Sequence, residues 1–197
     1  MLFRSPVTLI ISLGVALMML LTAPVLTLAQ DQPALTAEAQ ALSRQFAQRL
    51  QAALAEALQQ GGPAQALGVC QAHAPTIAED LSAASGWRVG RTALRLRNQA
   101  NGPDAWEAAG LREFQARAQA GEPVAGLVKT EVVDGPQGRV FRYLAAIPTG
   151  QACLTCHGES VDPRVQARIG SLYPGDQATG FKVGELRGAF SLAKPLP

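Results

Sequence analysis

The sequence predicts an α+β domain with one long N-terminal helix, several shorter helices and an antiparallel sheet. Three observations carry this. Leu35 to Leu58 is rich in Ala, Leu, Gln and Glu, and places Leu42, Phe46, Leu50, Leu54 and Leu58 at a spacing of four. These are good helix formers with one apolar stripe. Val124–Val133 and Val140–Ile147 are β-branched, alternating runs either side of Asp134-Gly135-Pro136-Gln137-Gly138, the pattern of an antiparallel hairpin with a five-residue loop. Gly180 to Leu192 carries Phe181, Val183, Leu186, Phe190 and Leu192 between glycines, and reads as a last strand pairing back onto that hairpin.

Taken in order, the chain opens with a leader. Arg4 is followed by an almost wholly apolar run from Val7 to Leu28, and Thr27-Leu28-Ala29 offers small residues at the positions a signal peptidase reads. Residues 1–29 are therefore expected to be a signal peptide, with an uncleaved anchor as the rival, since the run just reaches bilayer-spanning length. Either way residues 30–197 lie outside the cytoplasmic membrane, in the periplasm, as a single domain. The long helix starts at Asp31 to Pro33 and runs to about Gln60, for packing or for a homodimer contact. Gly61-Gly62-Pro63 stops it. Shorter helices follow over Pro63–Ala72 and Pro75–Ala84, the second ended by Gly86. Trp87 to Leu96 reads as irregular or extended. Asp104, with Glu107 three residues on, makes a capping box for a helix to about Ala120. Its apolar anchors are Trp106, Leu111 and Phe114, and Gly121 ends it. Asp162 and Pro163 start another helix to Ile169, and Tyr173-Pro174-Gly175-Asp176 is a turn.

The chemistry is concentrated in Cys153-Leu154-Thr155-Cys156-His157, the attachment signature of a c-type haem. Two thiols at this spacing add across the two vinyl groups, and the adjacent histidine reaches the iron. Two other readings compete. A thioredoxin-like pair wants a strand–helix junction of a β-α-β unit, whereas Pro148, Thr149 and Gly150 precede this one. A zinc site needs four ligands, and only Cys70 and His73 remain as soft candidates. Attachment of haem c is an export-side event, which agrees with the leader. Leu144 or Ile147, at the end of the hairpin, are candidate wall residues.

Counting narrows the ligands. The chain has three methionines, Met1, Met18 and Met19, all in the leader, so histidine–methionine ligation is excluded in the mature part. There are two histidines and three cysteines, so Cys70 has no disulfide partner once Cys153 and Cys156 hold the haem. It is an inert thiol, an intermolecular bridge or an axial thiolate. Cys70 and His73 sit three residues apart, and spacing alone does not choose between them. Arg88, Arg91, Arg95 and Arg97 form a local positive cluster. It is either a solvated face or a set of partners for the haem propionates, for which Arg88, Arg91 and Arg95 are the candidates. With 17 Lys and Arg against 15 Asp and Glu, and no basic block, nothing points to nucleic acid.

Several stretches together resemble a known family: Gly68-Val69-Cys70 with Pro75, Arg88-Val89-Gly90-Arg91-Thr92, Leu96-Arg97-Asn98, Asn101-Gly102-Pro103-Asp104, Trp106-Glu107, Cys153 to Gly158, Tyr173-Pro174 through Asp176, Ala178, Thr179, Gly180 and Phe181, and Gly188-Ala189-Phe190-Ser191. This is the Tll0287-like haem domain family. The resemblance implies a PAS-like fold, a central antiparallel sheet flanked by helices, with one covalent haem c. It also implies an unusual axial pair, His157 and Cys70, which makes His73 a neighbour. The implied roles are electron transfer and redox or gas sensing. The expectation drawn here is an exported haem protein that transfers single electrons, with a sensor of redox poise or of NO and CO as the alternative. No kinase, cyclase or methyl-accepting segment follows, so a sensor works through a separate partner. A redox or signalling protein is the expected partner, and contact with membrane is expected only through an uncleaved leader. An enzyme is not expected: a peroxidase needs a distal acid–base group, and His73 alone is available.

Overall fold

The computed structural model describes residues 23–136 and 138–197. Of the predicted leader, residues 1–22 lie outside these, and so does Gln137. Among the described residues no helix is long and apolar enough to cross a membrane. The described residues up to Ala34 belong to a separate unit and are helical from Ala23. Residues 35–197 form the other unit, described below.

Helix α1 is Ala23–Ser85. Its one interruption is Gly62, at φ 70° and ψ −168°, a left-handed backbone that glycine adopts without a Cβ penalty. The expected stop at Gly61-Gly62-Pro63 is thus a kink. The expected break at Pro75 does not occur. Pro75 removes the N–H that would reach Gln71 O, but Gln71, Ala72, His73, Pro75 and Thr76 are exposed, so the freed carbonyl is not left in the core. On the opposite side Ala74, Ile77 and Leu81 are buried and hold the helix to the core. The predicted stripe is buried at Leu42, Phe46 and Leu50 but runs out at Leu58, which is 39% exposed. A spacing of four drifts about 40° per step around a helix of 3.6 residues per turn, and Ala57 takes over the inward position.

The segment read as irregular contains a strand, β1, Arg88–Thr92. Strands β2, Val128–Gly135, and β3, Gly138–Pro148, form the hairpin. Its loop is shorter than the expected five residues, since Gly135 already pairs with Gly138. Val124 to Leu127 is a turn rather than strand, closed by Leu127 N–H to Val124 O at 3.2 Å. Strand β4, Leu186–Pro195, pairs with both β3 and β1. The sheet order is β1-β4-β3-β2, all antiparallel.

Helices cover both faces. On one, Val89, Phe141, Tyr143 and Leu192 pack with Phe46, Leu81 and Trp87. Trp87 meets Phe141 edge-on, ring centroids 6.0 Å apart. On the other, Leu144 and Ala189 pack with Leu111 and Phe114 of α2, Ala105–Gln119. The capping box forms as predicted: Asp104 Oδ1 accepts from Glu107 N–H at 2.9 Å, and Glu107 Oε2 accepts from Asp104 N–H at 2.8 Å. Arg142 of β3 ties this cap to the sheet, at 2.7 Å from Asp104 and 3.3 Å from Glu107. Ser191 of β4 donates to the same Glu107.

Candidate functional site

Strand β3 delivers the chain to the motif through a register shift between Ile147 and Pro148. Buried Thr149 is then clamped by two backbone bonds of 2.8 Å, its N–H to Glu185 O and Gly184 N–H to its own carbonyl. One tight turn, Gln151–Cys153, leads into a single helical turn, α3, Leu154–His157. Cys153 and Cys156 are thereby three residues apart on one short helical stretch. Gly158 lets the chain leave: a Cβ there would stand 2.6 Å from Leu154 O. The exit is pinned by Gly180 N–H to Gly158 O and Phe181 N–H to His157 O, at 2.8 and 2.9 Å.

The His157 ring is oriented by the backbone. Nδ1 lies 2.6 Å from Ala178 O, so Nδ1 carries the proton and Nε2 keeps its lone pair, the tautomer a metal-binding imidazole uses. Burial, with Arg187 and Arg97 beside it, pushes the ring down to about 2, so it is neutral. Arg97 is the hub around it. Its guanidinium donates to Asp176 Oδ1 and Oδ2 at 3.0 and 3.3 Å, to Cys156 O at 2.7 Å and to Ala178 O at 3.1 Å.

Cys70 enters from α1. One turn earlier Leu67 packs on Val165 and Ile169 of α4, Pro163–Leu172, and Cys156 joins that cluster. The helix that carries Cys70 is therefore seated on the motif. Burial pushes the Cys70 thiol up, against the pull of Arg91, Arg97 and Arg187, and the charge of Cys153 is felt there too. None of the three cysteines is in a disulfide. His73, the other candidate by spacing, is exposed.

Around these groups the guanidiniums of Arg91, Arg97 and Arg187 crowd. Burial, then Arg97 and Arg91, pull Arg187 down to about 10. One carboxylate, Asp176, stands among them, and it pairs with Arg97. Arg91 and Arg187 have no ion-pair partner among the described residues. A neutral imidazole whose Nε2 meets only Arg97 Nη1, at 3.5 Å, a thiol pair at attachment spacing, a third thiol on a facing helix and a surplus of cations fit a haem with its two carboxylates. The zinc alternative finds no site: among the described residues no three His, Cys, Asp or Glu are grouped to hold a metal ion.

A family model described as Tll0287-like matches residues 27–195. The chain belongs to the Tll0287-like family. The crystal structure of the cyanobacterial heme-protein Tll0287 is similar to it at 27% identity and a TM-score of 0.51, covering 64% of this chain and 71% of that one. No curated protein matches.

Within this Tll0287-like chain the predicted arginines separate. Arg91 joins the cluster beside Cys70, its guanidinium also stacked 5.2 Å from the Phe46 centroid. Arg95 binds the carbonyls of Gln177 and Thr179, over the ring of Phe181. It holds the neighbouring loop. Arg88 is exposed and points away, its charge felt by Asp104. Leu144 is no wall residue, because strand alternation buries it against α2. Sequence reasoning left Arg187 out and Arg97 unassigned. Arg97 was visible as part of the cluster, but Arg187 carries no local signal and reaches the site only because β4 lies inside the sheet.

Proposed function

We propose that this chain is a periplasmic c-type haem module that senses redox poise or a diatomic gas through a separate partner protein. Cys153 and Cys156 bind the haem covalently, and His157 and Cys70 are its axial ligands. Arg91 and Arg187, whose charges have no carboxylate partner among the described residues, receive the propionates in paired hydrogen bonds. A haem held here supplies one-electron exchange and a face for CO or NO.

The observation that carries the sensor reading is the unequal hold on the two ligands. His157 is fixed by a 2.6 Å bond at Nδ1. Cys70 has no hydrogen bond to its sulfur among the described residues, and burial favours its neutral thiol. A carrier is best served by two ligands that stay. Cys70 is instead built to let go when the iron is reduced and the thiolate is less needed. It sits in the part of α1 that follows the Gly62 kink, so its release can be felt along that helix. The PAS-like arrangement, a sheet between helices, suits such a relay. Electron transfer with fixed ligands is the second reading, and no catalytic turnover is assigned.

The test is the EPR and visible spectra of haem-loaded protein and of Cys70→Ser. A ferric low-spin thiolate signal that the variant lacks, and a ferrous form that takes up CO, are expected. Unchanged spectra in Cys70→Ser remove Cys70 as ligand. A ferrous protein that keeps its thiolate and refuses CO makes the module a carrier.

A further inference from the structure

We infer that Arg97 and Asp176 act together as positioning residues for the His157 imidazole. This rests on the reading of His157 as an axial ligand. The Ala178 residue is gripped from three sides. Its N–H donates to Asp176 Oδ1 at 3.1 Å, and its carbonyl takes both Arg97 Nη2, at 3.1 Å, and His157 Nδ1, at 2.6 Å. Arg97 in turn is oriented by Asp176 through two atoms and holds Cys156 O, the carbonyl just before the histidine. One guanidinium thus joins the backbone on both sides of the ring, the peptide that carries His157 and the peptide that receives its Nδ1 proton. The pair is 7% and 10% exposed, so solvent does not offer substitutes.

The arrangement does more than close a loop. The partner of a ligating histidine's second nitrogen sets both ring angle and ligand basicity. Here that partner is a backbone carbonyl, which no side-chain change can remove, and its placement is delegated to Arg97 and Asp176. Lysine cannot replace Arg97, since one ammonium does not span acceptors on three residues in the same planar fork.

The experiment uses haem-loaded protein carrying Cys70→Ala, so that His157 is the protein's one ligand. The ferrous iron–histidine stretching band in resonance Raman reports the Nδ1 bond. In Arg97→Gln and Asp176→Asn the band is expected at lower frequency and broader, with haem content and far-UV CD as in the parent. Release of His157 on NO addition is expected to be faster by roughly 10-fold or more. Arg97→Lys does not restore the parent band, and the double variant shifts no further than the larger single one. Asp176→Asn keeps the shape of the side chain and decides alone if Arg97→Gln does not fold. A parent-like band and release rate in Asp176→Asn overturn the inference while leaving His157 a ligand. A parent with no iron–histidine band removes the ligand reading and the clamp with it.

Discussion

Arg142 and Arg187 are both guanidiniums drawn out of solvent by the same sheet, on β3 and β4, but their surroundings differ in sign. Arg142 lies against two carboxylates, Asp104 and Glu107, with the Trp106 ring 4.4 Å away and Ser191 completing Glu107. Its charge is answered inside the protein. Arg187 lies among Arg97 and Arg91, with Asp176 as the acid among them, and that acid is already bonded to Arg97. It has the Arg95 carbonyl at 3.4 Å and the Phe181 ring at 5.3 Å, but no carboxylate of its own among the described residues. A buried ion that its own fold balances is scaffold. A buried cluster with cations in surplus leaves charge that an anion from outside can balance, the part proposed above for the haem carboxylates.

The contrast can be broken or sharpened by four measurements. Arg142→Met leaves Glu107 buried without its cation and is expected to cost about 3–5 kcal/mol in urea unfolding; a loss below about 1 kcal/mol would mean the balanced cluster is not scaffold. Next is acid sensitivity in protein prepared without haem. The folded His157 titrates at about 2, against 6.5 for an unperturbed imidazole. Between those limits the unfolded ring binds a proton and the folded ring does not. Stability therefore falls as pH drops below 6.5, by at most about 1.4 kcal/mol per pH unit. His157→Gln should flatten that slope, and an unchanged slope assigns the acid loss to other groups. Arg187→Met is expected to change sign with loading: a gain of about 1 kcal/mol without haem, from relieved crowding, and a loss of about 1.5–3 kcal/mol with it, from a lost charged hydrogen bond. The same sign in both states ends the idea of an open cluster. Smallest is Arg88→Ala, expected to stay within about 0.5 kcal/mol of the parent with an unaltered haem spectrum; a spectral change would bring Arg88 back to the site.

Local chemistry was the legible part. The capping box of Asp104 and Glu107 and the cap at Asp162 follow from neighbours within a few residues and stand where expected, and the hairpin forms with a later start and a shorter loop. Misreadings came where long-range packing outvoted a local signal. Pro75 breaks helices in isolation, but Ala74, Ile77 and Leu81 are held by the core. Arg88 to Thr92 has too few apolar residues to declare a strand, and becomes one because β4 offers it a partner. In the site, the motif was readable from its spacing, whereas spacing and counting left Cys70 and His73 open and only the family resemblance implied Cys70. Arg88 and Arg91 look equivalent in sequence, and only the face of β1 on which each stands tells them apart. Arg187 is invisible until the strand order is known.

That strand order has a consequence in time. Among the four strands, the one in the sheet's interior between β1 and β3 is the last to be synthesised. Until Leu186–Pro195 has been made, the sheet exists as two fragments, a lone strand and a hairpin, with no seam between them. The Cys153–His157 segment precedes β4 in the chain, so the site is complete only once the last strand has docked. Docking of that final strand joins the lone strand to the hairpin and brings Arg187 to the site.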